Sequence, residues 1–415
     1  MKRKQLSLLG AGCLTAMALT LPQEASAMPA YARQTGLSCA ACHFQRYPLL
    51  NQFGRAFKQN GYTQKGKQYT IEDTNLSLPT TLNATLVSKF RYVRTTAGTD
   101  QAVNAGIVDV PDEASFFLAG RVANNIGFQA DIGIISGGAG IGGFKMPFII
   151  AKGDYTLQAI PFFTDAQGPQ YGYELLNTGA VEYSRVFERA ADTTAAQYIT
   201  KAPNEVKVDG VALVAQNKFG YINVTPYFVD GGGTSPSKMM NYIRAVYTHP
   251  SKVGNFDVAG GVQYWKGTSQ DNPDELIAAI SYVDAWAVDA QAQGKVGDYD
   301  LGLYAAYAVA PKSTGALPTN TNMYNPSMAA NRSAFSLVAD LGVIPSVLGV
   351  EVGYRAGASG DGGSDSDNAF TLGATYNVAR NVTMQLSHSF YSYGADVVDK
   401  SLGDSRTTFV LFSAF

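Results

Sequence analysis

Residues 126–134, with the sequence IGFQADIGI, decide the class of fold. Their apolar side chains share one face of an extended strand: Ile126, Phe128, Ala130, Ile132 and Ile134. Gln129 and Asp131 lie on the opposite face. Segments of about ten residues that alternate in this way are typical of a transmembrane β-barrel, in which one face meets lipid and the other meets a polar lumen.

The same alternation with a period of two continues from about Thr81 to the C-terminus. It is clear in VTMQLSHSF at 382–390 and in TTFVLFSAF at 407–415. A soluble β-solenoid is less favoured because no repeat of fixed length is found. A soluble sandwich of this length would normally divide into domains. We therefore expect an all-β transmembrane barrel over residues 77–415.

The lengths of the connections between strands support a barrel of the bacterial outer membrane, which has short periplasmic turns and long outer loops. Long loops are predicted at 394–404, 358–368, 310–330, 266–280 and 230–238, and short turns at 377–380, 342–347, 294–298 and 249–254. The alternation weakens between residues 165 and 218. The raw count is seventeen strands, and because a single-chain bacterial barrel has an even number, we expect sixteen or eighteen.

The composition excludes other classes of protein. The 415 residues contain 31 Lys+Arg and 33 Asp+Glu, and charged residues make up 15% of the chain, compared with about 25% in soluble domains. This balance lacks the basic excess of a nucleic-acid-binding protein. No run after residue 27 reaches the roughly 18 apolar residues that indicate a transmembrane helix.

Residues 1–27 are predicted to be a secretory signal peptide. A basic KRK at 2–4 precedes an apolar core at 6–21, and ASA at 25–27 is a small-x-small cleavage site. A membrane-anchoring helix is less favoured because no stop-transfer charges follow. A lipoprotein site at Cys13 is also less favoured because the apolar core would be very short. Export implies a location in the outer membrane.

The motif CAACH at 39–43 predicts a covalently attached haem c. The thiols of Cys39 and Cys42 would each bond one vinyl group, and His43 would be the proximal iron ligand. A simple disulfide would not explain the adjacent histidine. A zinc site would need four ligands, whereas only His249 and His388 remain elsewhere, and a thioredoxin-like pair would need a βαβ context. The sixth iron ligand stays open among a Met, a His and none.

Residues 28–76 are predicted to be a small cytochrome segment that plugs the barrel. A segment of this size buries little core and needs a cofactor or a partner to fold stably. It is locally basic, with six Lys or Arg between Arg33 and Lys67. An amphipathic helix is predicted from four apolar residues with two basic residues on the opposite face: Leu49, Leu50, Phe53 and Phe57, against Arg55 and Lys58.

Carboxylates cluster in the predicted long loops. The four clusters are Asp109, Asp112 and Glu113; Asp271, Asp274 and Glu275; Asp361, Asp365 and Asp367; and Asp396, Asp399 and Asp404. An acidic mouth would attract cations, but solubility or metal bound to lipopolysaccharide explains the clusters equally well. His388 is expected on the lipid-facing side of its strand and His249 in a periplasmic turn. Five methionines are expected nearer the extracellular end of the barrel: Met146, Met239, Met240, Met323 and Met328.

The N-terminal segment resembles the fused monohaem cytochrome–porin family of iron-oxidising bacteria. The resemblance lies in MPAYARQTGLS at 28–38, directly before the haem motif, and in FQRYP at 44–48, Asn51, FGRAFK at 53–58 and GY at 61–62. The resemblance implies a protein that oxidises Fe(II) at the cell surface and passes the electrons inward. Cys39, Cys42 and His43 carry over as haem attachments and proximal ligand. No catalytic residue, distal ligand or iron site carries over.

The expected function is therefore an outer-membrane electron conduit with one haem c. Extracellular Fe(II) would be the donor, and a periplasmic cytochrome or copper protein would be the acceptor, so any enzymatic activity would be that of a cytochrome-type iron oxidoreductase. One alternative is a conduit for another extracellular donor or acceptor. The other is a plugged solute-diffusion porin, and a metal or siderophore transporter is more remote because that type usually has about 22 strands.

Overall fold

The computed structural model describes residues 29–415 apart from 67, 75, 98–102, 104, 135–139, 183–184, 201–206, 230–237 and 271–279. The predicted signal peptide at 1–27 lies outside the described residues, and so does the acidic cluster Asp271, Asp274 and Glu275.

Short helices occur in two parts of the chain, before the barrel and within it. The α-helices are α1 (Ala30–Thr35), α2 (Cys39–Cys42), α3 (Gln52–Gln59) and α4 (Ala195–Thr200), and 3₁₀ turns cover Pro169–Tyr171 and Ala190–Asp192. Among the residues that the structure describes, no helix is both long and apolar enough to cross a membrane.

The strands form one small hairpin and one large barrel. The hairpin consists of β1 (Thr70–Asp73) and β2 (Leu76–Pro79). The barrel strands are β3 (Ala84–Thr95), β4 (Ile107–Ala123), β5 (Ile126–Gly133), β6 (Gly140–Lys145), β7 (Phe148–Lys152), β8 (Tyr155–Thr164), β9 (Val208–Asn217), β10 (Gly220–Val229), β11 (Met240–Thr248), β12 (Asp257–Gln270), β13 (Ile280–Val296), β14 (Tyr299–Ala310), β15 (Arg332–Ile344), β16 (Leu348–Ala358), β17 (Asp367–Ala379), β18 (Val382–Tyr393) and β19 (Ser405–Ala414).

Neighbouring barrel strands are antiparallel, and the barrel closes where β19 pairs with β3. β6 and β7 occupy a single strand position, because each of them pairs with both β5 and β8. The strand is interrupted at Met146 and Pro147, where proline has no N–H to donate to a neighbouring strand. The prediction of sixteen strands is confirmed, although the wall contains seventeen segments.

The connections confirm the predicted alternation of long loops and short turns. At one end of the barrel, the short-turn end, the connections are 124–125, 153–154, 218–219, 249–256, 297–298, 345–347 and 380–381. At the other end, the long-loop end, they are 96–106, 134–139, 165–207, 230–239, 271–279, 311–331, 359–366 and 394–404. The first barrel strand begins and the last one ends at the short-turn end.

The two faces of the barrel wall differ in polarity, as expected for a membrane-spanning barrel. Large apolar side chains are exposed on the outer face, including those of Leu213, Ile222, Val224, Ile243, Val262, Val288, Leu303, Leu337, Val350, Val352, Leu372 and Leu386. Buried polar side chains face the lumen, including those of Gln216, Asn223, Thr225, Arg244, Gln263, Asp289, Gln291, Asp340, Glu351, Thr371 and Thr375. Because the barrel is closed, each strand has a hydrogen-bonded neighbour on both sides, so no strand edge exposes unpaired backbone groups to lipid.

One of the predicted acidic clusters is not in a loop. Asp109, Asp112 and Glu113 lie within β4, in the half of the strand nearer the long-loop end. Lys89 donates a hydrogen bond to Glu113 at 2.6 Å, and Arg91 lies 2.9 Å from Asp112. The prediction was wrong because cross-strand cations on β3 make an acidic segment compatible with a strand.

Two parts of the chain fill the lumen. Residues 29–66, the plug, occupy the short-turn end, where Gln158 and Gln216 both donate to the carbonyl of Gln59 at 2.6 Å. The connection 165–207, the inner loop, folds into the middle of the barrel and contains α4. The side chains of its Tyr173, Leu176 and other apolar residues are almost completely buried. This explains why the alternation of period two fails in this region of the sequence.

A buried ionic network holds the inner loop to the wall. Arg244 of β11 donates to Glu174 of the inner loop at 2.9 Å and to Asp289 of β13 at 2.6 Å. All three side chains are fully buried. Thr178 donates to Asp289 at 2.5 Å, and Tyr221 donates to Glu174 at 2.9 Å. Each carboxylate therefore has a cation and at least one further donor.

Replacing Arg244 by Met should destabilise the barrel by about 3–5 kcal/mol, because Glu174 and Asp289 would remain buried without their cation. The measurement is denaturant unfolding in detergent micelles, followed by tryptophan fluorescence. The control is Arg244→Met combined with Glu174→Gln and Asp289→Asn, which should recover most of the loss. If Arg244→Met were as stable as the unmodified protein, Arg244 would not be the cation that stabilises buried Glu174 and Asp289.

Candidate functional site

The predicted haem motif forms one turn of helix followed by an extended residue. Cys39 and Cys42 begin and end α2, so their side chains lie one helical turn apart, and both are half-buried free thiols. His43 leaves the helix with φ −108° and ψ 139°, and its N–H donates to the carbonyl of Cys39 at 3.0 Å. An isolated bridge to Leu50 then closes the tight loop 43–50. The three predicted residues are thus brought together.

The ring of His43 is oriented by the backbone. Its Nδ1 lies 3.2 Å from the carbonyl oxygen of Leu49. A carbonyl oxygen only accepts, so Nδ1 carries the proton and Nε2 keeps its lone pair. This is the usual arrangement for a metal-ligating histidine. Burial lowers the pKa of His43 to about 4, which favours the neutral, ligating form.

Burial also decides the state of the two thiols. It raises the pKa of Cys39, and it raises the pKa of Cys42 to about 11. Cysteine pairs that work by disulfide exchange have lowered pKa values. These raised pKa values favour the thiol form at both positions, in contrast to a thioredoxin-like site.

Helix α3 packs directly on the haem motif. The side chain of Asn51 accepts from the N–H of Gly54 at 2.9 Å and so caps the helix. The same side chain donates to the carbonyl of Ala41 at 3.0 Å, which ties α3 to α2. A Cβ at position 54 would overlap the carbonyl oxygen of Cys42. Glycine is therefore required at this position for α3 to approach the motif.

The predicted amphipathic character of α3 holds for Phe57, which is buried, and is wrong for Phe53 and the two basic residues. The helix begins at Gln52, so Leu49 and Leu50 precede it. Arg55 and Lys58 are only 4% and 7% exposed, whereas Phe53 is 43% exposed. The reason is that the lumen wall around the plug is polar, so the basic face of α3 is the one that becomes buried.

Two arginines of the plug pair with carboxylates of the wall. Arg46 lies 3.1 Å from Asp340 of β15 and 2.9 Å from Glu351 of β16. It also donates to the carbonyl of Val186 in the inner loop at 3.1 Å. Arg55 forms an ion pair with Asp257 of β12. Because Arg46 follows His43 by three residues, these ion pairs fix the position of the CAACH motif in the barrel.

A cavity of about 640 Å³ lies beside the motif and is lined by Cys39, Cys42 and His43. This volume is within the range of about 300–1,000 Å³ that cofactor and ligand sites have. The other walls come from the plug, the inner loop and strands β3, β4, β5, β6, β17, β18 and β19. Tyr47 stacks on Phe412 of β19 with ring centroids 5.0 Å apart, and its ring meets the edge of His43 at 5.4 Å.

Charged side chains line the cavity. Eight of its lining residues are cationic: Arg46, Lys58, Lys89, Arg91, Arg185, Arg189, Arg380 and Arg406. Five are acidic: Glu113, Asp131, Asp165, Glu182 and Glu188. Four carboxylates behind the lining also pair with these cations: Asp340 and Glu351 with Arg46, Asp112 with Arg91, and Asp192 with Arg189. The Nε of Arg406 is buried and has no hydrogen-bond partner among the described residues. Arg406 therefore leaves a buried N–H donor for an anionic group of an occupant.

Other predicted residues lie away from this site. Asp361 and Asp396 accept hydrogen bonds from loop backbone, from the N–H of Val398 at 3.0 Å and of Ser364 at 2.7 Å. In the described part of the chain, no group of three or more His, Cys, Asp or Glu residues could hold a metal ion. Arg185 and Glu188 of the inner loop, which pair at 3.0 Å, were not predicted from the sequence. The only signal for them was the loss of alternation.

Comparisons with known proteins found only structural neighbours of low sequence identity. No protein-family model matches the chain, and no curated protein matches it. A loop-deletion variant of OmpT from Vibrio cholerae has a TM-score of 0.48 and 12% identity, covering 81% of this chain and 99% of that chain. The channel DcaP of Acinetobacter baumannii has a TM-score of 0.49 and 11% identity, covering 80% and 97%. OmpF of Salmonella typhi, solved with daunomycin, has a TM-score of 0.48 and 12% identity, covering 84% and 100%.

The chain is a closed β-barrel of the kind that spans an outer membrane. This conclusion follows from the closed wall of sixteen strand positions and from the apolar side chains on its outer face, which contact membrane lipid. His388 lies on that outer face, as predicted, with its Nδ1 2.8 Å from the hydroxyl of Thr407. His249 lies in a connection of the short-turn end.

Replacing Arg46 by Met should loosen the plug, because Asp340 and Glu351 would lose their buried cation at a cost of about 3–5 kcal/mol. Faster hydrogen exchange across residues 39–50 would report this loosening. Lys65→Met is the matched control, because the ion pair of Lys65 with Glu72 is exposed and contributes about 0–1 kcal/mol. Equal exchange rates in the two variants would contradict this role of Arg46.

Proposed function

We propose that the chain is an outer-membrane electron conduit with one covalently attached haem c in its lumen. The observation that carries this proposal is the cavity of about 640 Å³ that is lined by both thiols of Cys39 and Cys42 and by the imidazole of His43. The resemblance of residues 28–62 to the fused monohaem cytochrome–porin family supports it.

The residues present fit this group. Cys39 and Cys42 lie one helical turn apart and would form the two thioether bonds. His43 would hold the iron through Nε2, since Nδ1 faces the carbonyl of Leu49. The buried, unpartnered Nε of the lining residue Arg406 offers a donor for a carboxylate of a haem. When bound, the haem supplies one-electron redox chemistry. The protein supplies the position, the ligand and the charged surroundings that tune the potential.

The plug lies at the short-turn end, which is the periplasmic end in barrels of this type. That position supports delivery of electrons to a periplasmic cytochrome or copper protein. Extracellular Fe(II) is the proposed donor: it loses one electron and becomes Fe(III), and the electron leaves through the periplasmic carrier. Oxidation on the outer side would keep the poorly soluble ferric product away from the periplasm.

The second candidate is a solute-diffusion porin. The observation that favours it is the sixteen-strand porin-like wall itself. The filling of the lumen by the plug and the inner loop argues against a wide pore, because the described inner loop buries side chains such as Tyr173 and Leu176 in the middle of the barrel.

Replacing both Cys39 and Cys42 by Ser should abolish covalent haem attachment. Intact-mass spectrometry of the mature protein should show the haem mass in the unmodified chain and lose it in the double variant. Haem staining of the outer-membrane fraction checks the same point. A mature chain without the added mass would reject the conduit and leave the porin.

Anaerobic addition of Fe(II) to the ferric holoprotein should reduce the haem, as seen in its absorption spectrum. A haem that dithionite reduces and Fe(II) does not would reject iron as the donor while keeping the conduit. Planar-bilayer recordings separate the second candidate: a conduit with a filled lumen should show little conductance, whereas stable open channels of porin size would favour solute diffusion.

A further inference from the structure

We propose that the cavity leaves the sixth coordination position of an iron bound at His43 open to small exogenous ligands such as carbon monoxide and azide. This inference rests on the proposed function, because it requires the haem. It concerns a ligand-binding site within the barrel, in addition to the transfer of electrons.

The chain contains three histidines, and two of them lie far from the cavity. His249 is exposed in a turn at the short-turn end, where its Nδ1 lies 2.6 Å from the carbonyl oxygen of Ser251. His388 lies on the outer face of β18 beside Phe390, with ring centroids 4.4 Å apart. Neither ring can enter the lumen without unfolding its part of the wall. A second imidazole ligand from the same chain is therefore ruled out by the fold.

The described methionines also occupy other places. Met240 and Met323 pack in the apolar cluster around Trp265, towards the long-loop end. Met239 and Met328 are exposed at the same end. Met384 pairs with Tyr376, which is exposed on the outer face. Met146 lies at the break between β6 and β7, midway along the strand. The prediction that it lies near the extracellular end was therefore wrong. All six lie outside the lining of the cavity.

Aromatic side chains make up the wall that the plug contributes to the cavity. The rings of Tyr31 and Tyr62 stack with centroids 5.1 Å apart, and Phe57 meets them at 5.1 and 5.9 Å. The hydroxyl of Tyr31 donates to Gln129 at 3.3 Å. These rings enclose space while offering no thioether or imidazole. Since the side chains around the iron decide whether a haem binds small ligands or only transfers electrons, a described lining with no methionine and no histidine besides His43 favours ligand binding.

The test uses the complete holoprotein, purified in detergent after its haem mass has been confirmed. We expect the ferric form to give a predominantly high-spin electron paramagnetic resonance signal. Carbon monoxide should shift the absorption bands of the ferrous form, and azide should convert the ferric form towards low spin. Loss of the haem mass would reject the proposed function itself. A low-spin ferric haem that does not bind carbon monoxide would overturn only this inference.

Two variants identify a hidden ligand. Lys58 lines the cavity, and Met28, which lies outside the described residues, directly precedes the lining residue Pro29 in the sequence. We expect both Lys58→Gln and Met28→Leu to keep the high-spin ferric signal. Met28→Leu should also keep the carbon monoxide affinity of the unmodified protein within about twofold, a span that corresponds to less than 0.5 kcal/mol. A spin-state change in either variant would overturn the proposal and name the sixth ligand. Heat-dependent gel mobility checks that each variant is folded.

Discussion

Pairing between buried arginines and buried carboxylates in the lumen is the interaction on which the rest of the structure depends. Arg46 joins the plug to Asp340 and Glu351, and Arg244 joins the inner loop to the wall. Such pairs contribute little net stability compared with apolar packing, because both charges lose their water. Removing one partner is costly, however. The pairs therefore select one position for each segment inside the barrel.

The polar lumen reverses the usual relation between charge and exposure. In a soluble helix the basic face would be in water, but in α3 Arg55 and Lys58 are buried and Phe53 is exposed. The outer face of the barrel shows the complementary reversal, with leucines and valines exposed where lipid replaces water. The wall therefore separates two environments, lipid hydrocarbon on its outer side and fixed polar groups on its inner side.

The candidate haem cavity is a joint product of three parts of the chain. The plug supplies Cys39, Cys42 and His43, the inner loop supplies Arg185 and its neighbours, and the wall supplies Phe412 and others. The plug is too small to enclose a haem on both faces by itself. In the proposed function, the wall and the inner loop would supply the side of the haem site that the plug lacks.

The sequence by itself determined the barrel, the alternation of turn lengths and the grouping of the haem motif, because these depend on short-range patterns such as the period of two at 126–134 and the spacing in CAACH. It could not reveal that β6 and β7 share one strand position, or that Glu113 lies in a strand beside Lys89. Only the tertiary structure decided the burial of the inner loop, the orientation of α3 and the lining of the cavity. These depend on pairs of residues separated by more than a hundred positions, such as Arg46 and Asp340, and such pairs leave no periodic signal in the sequence.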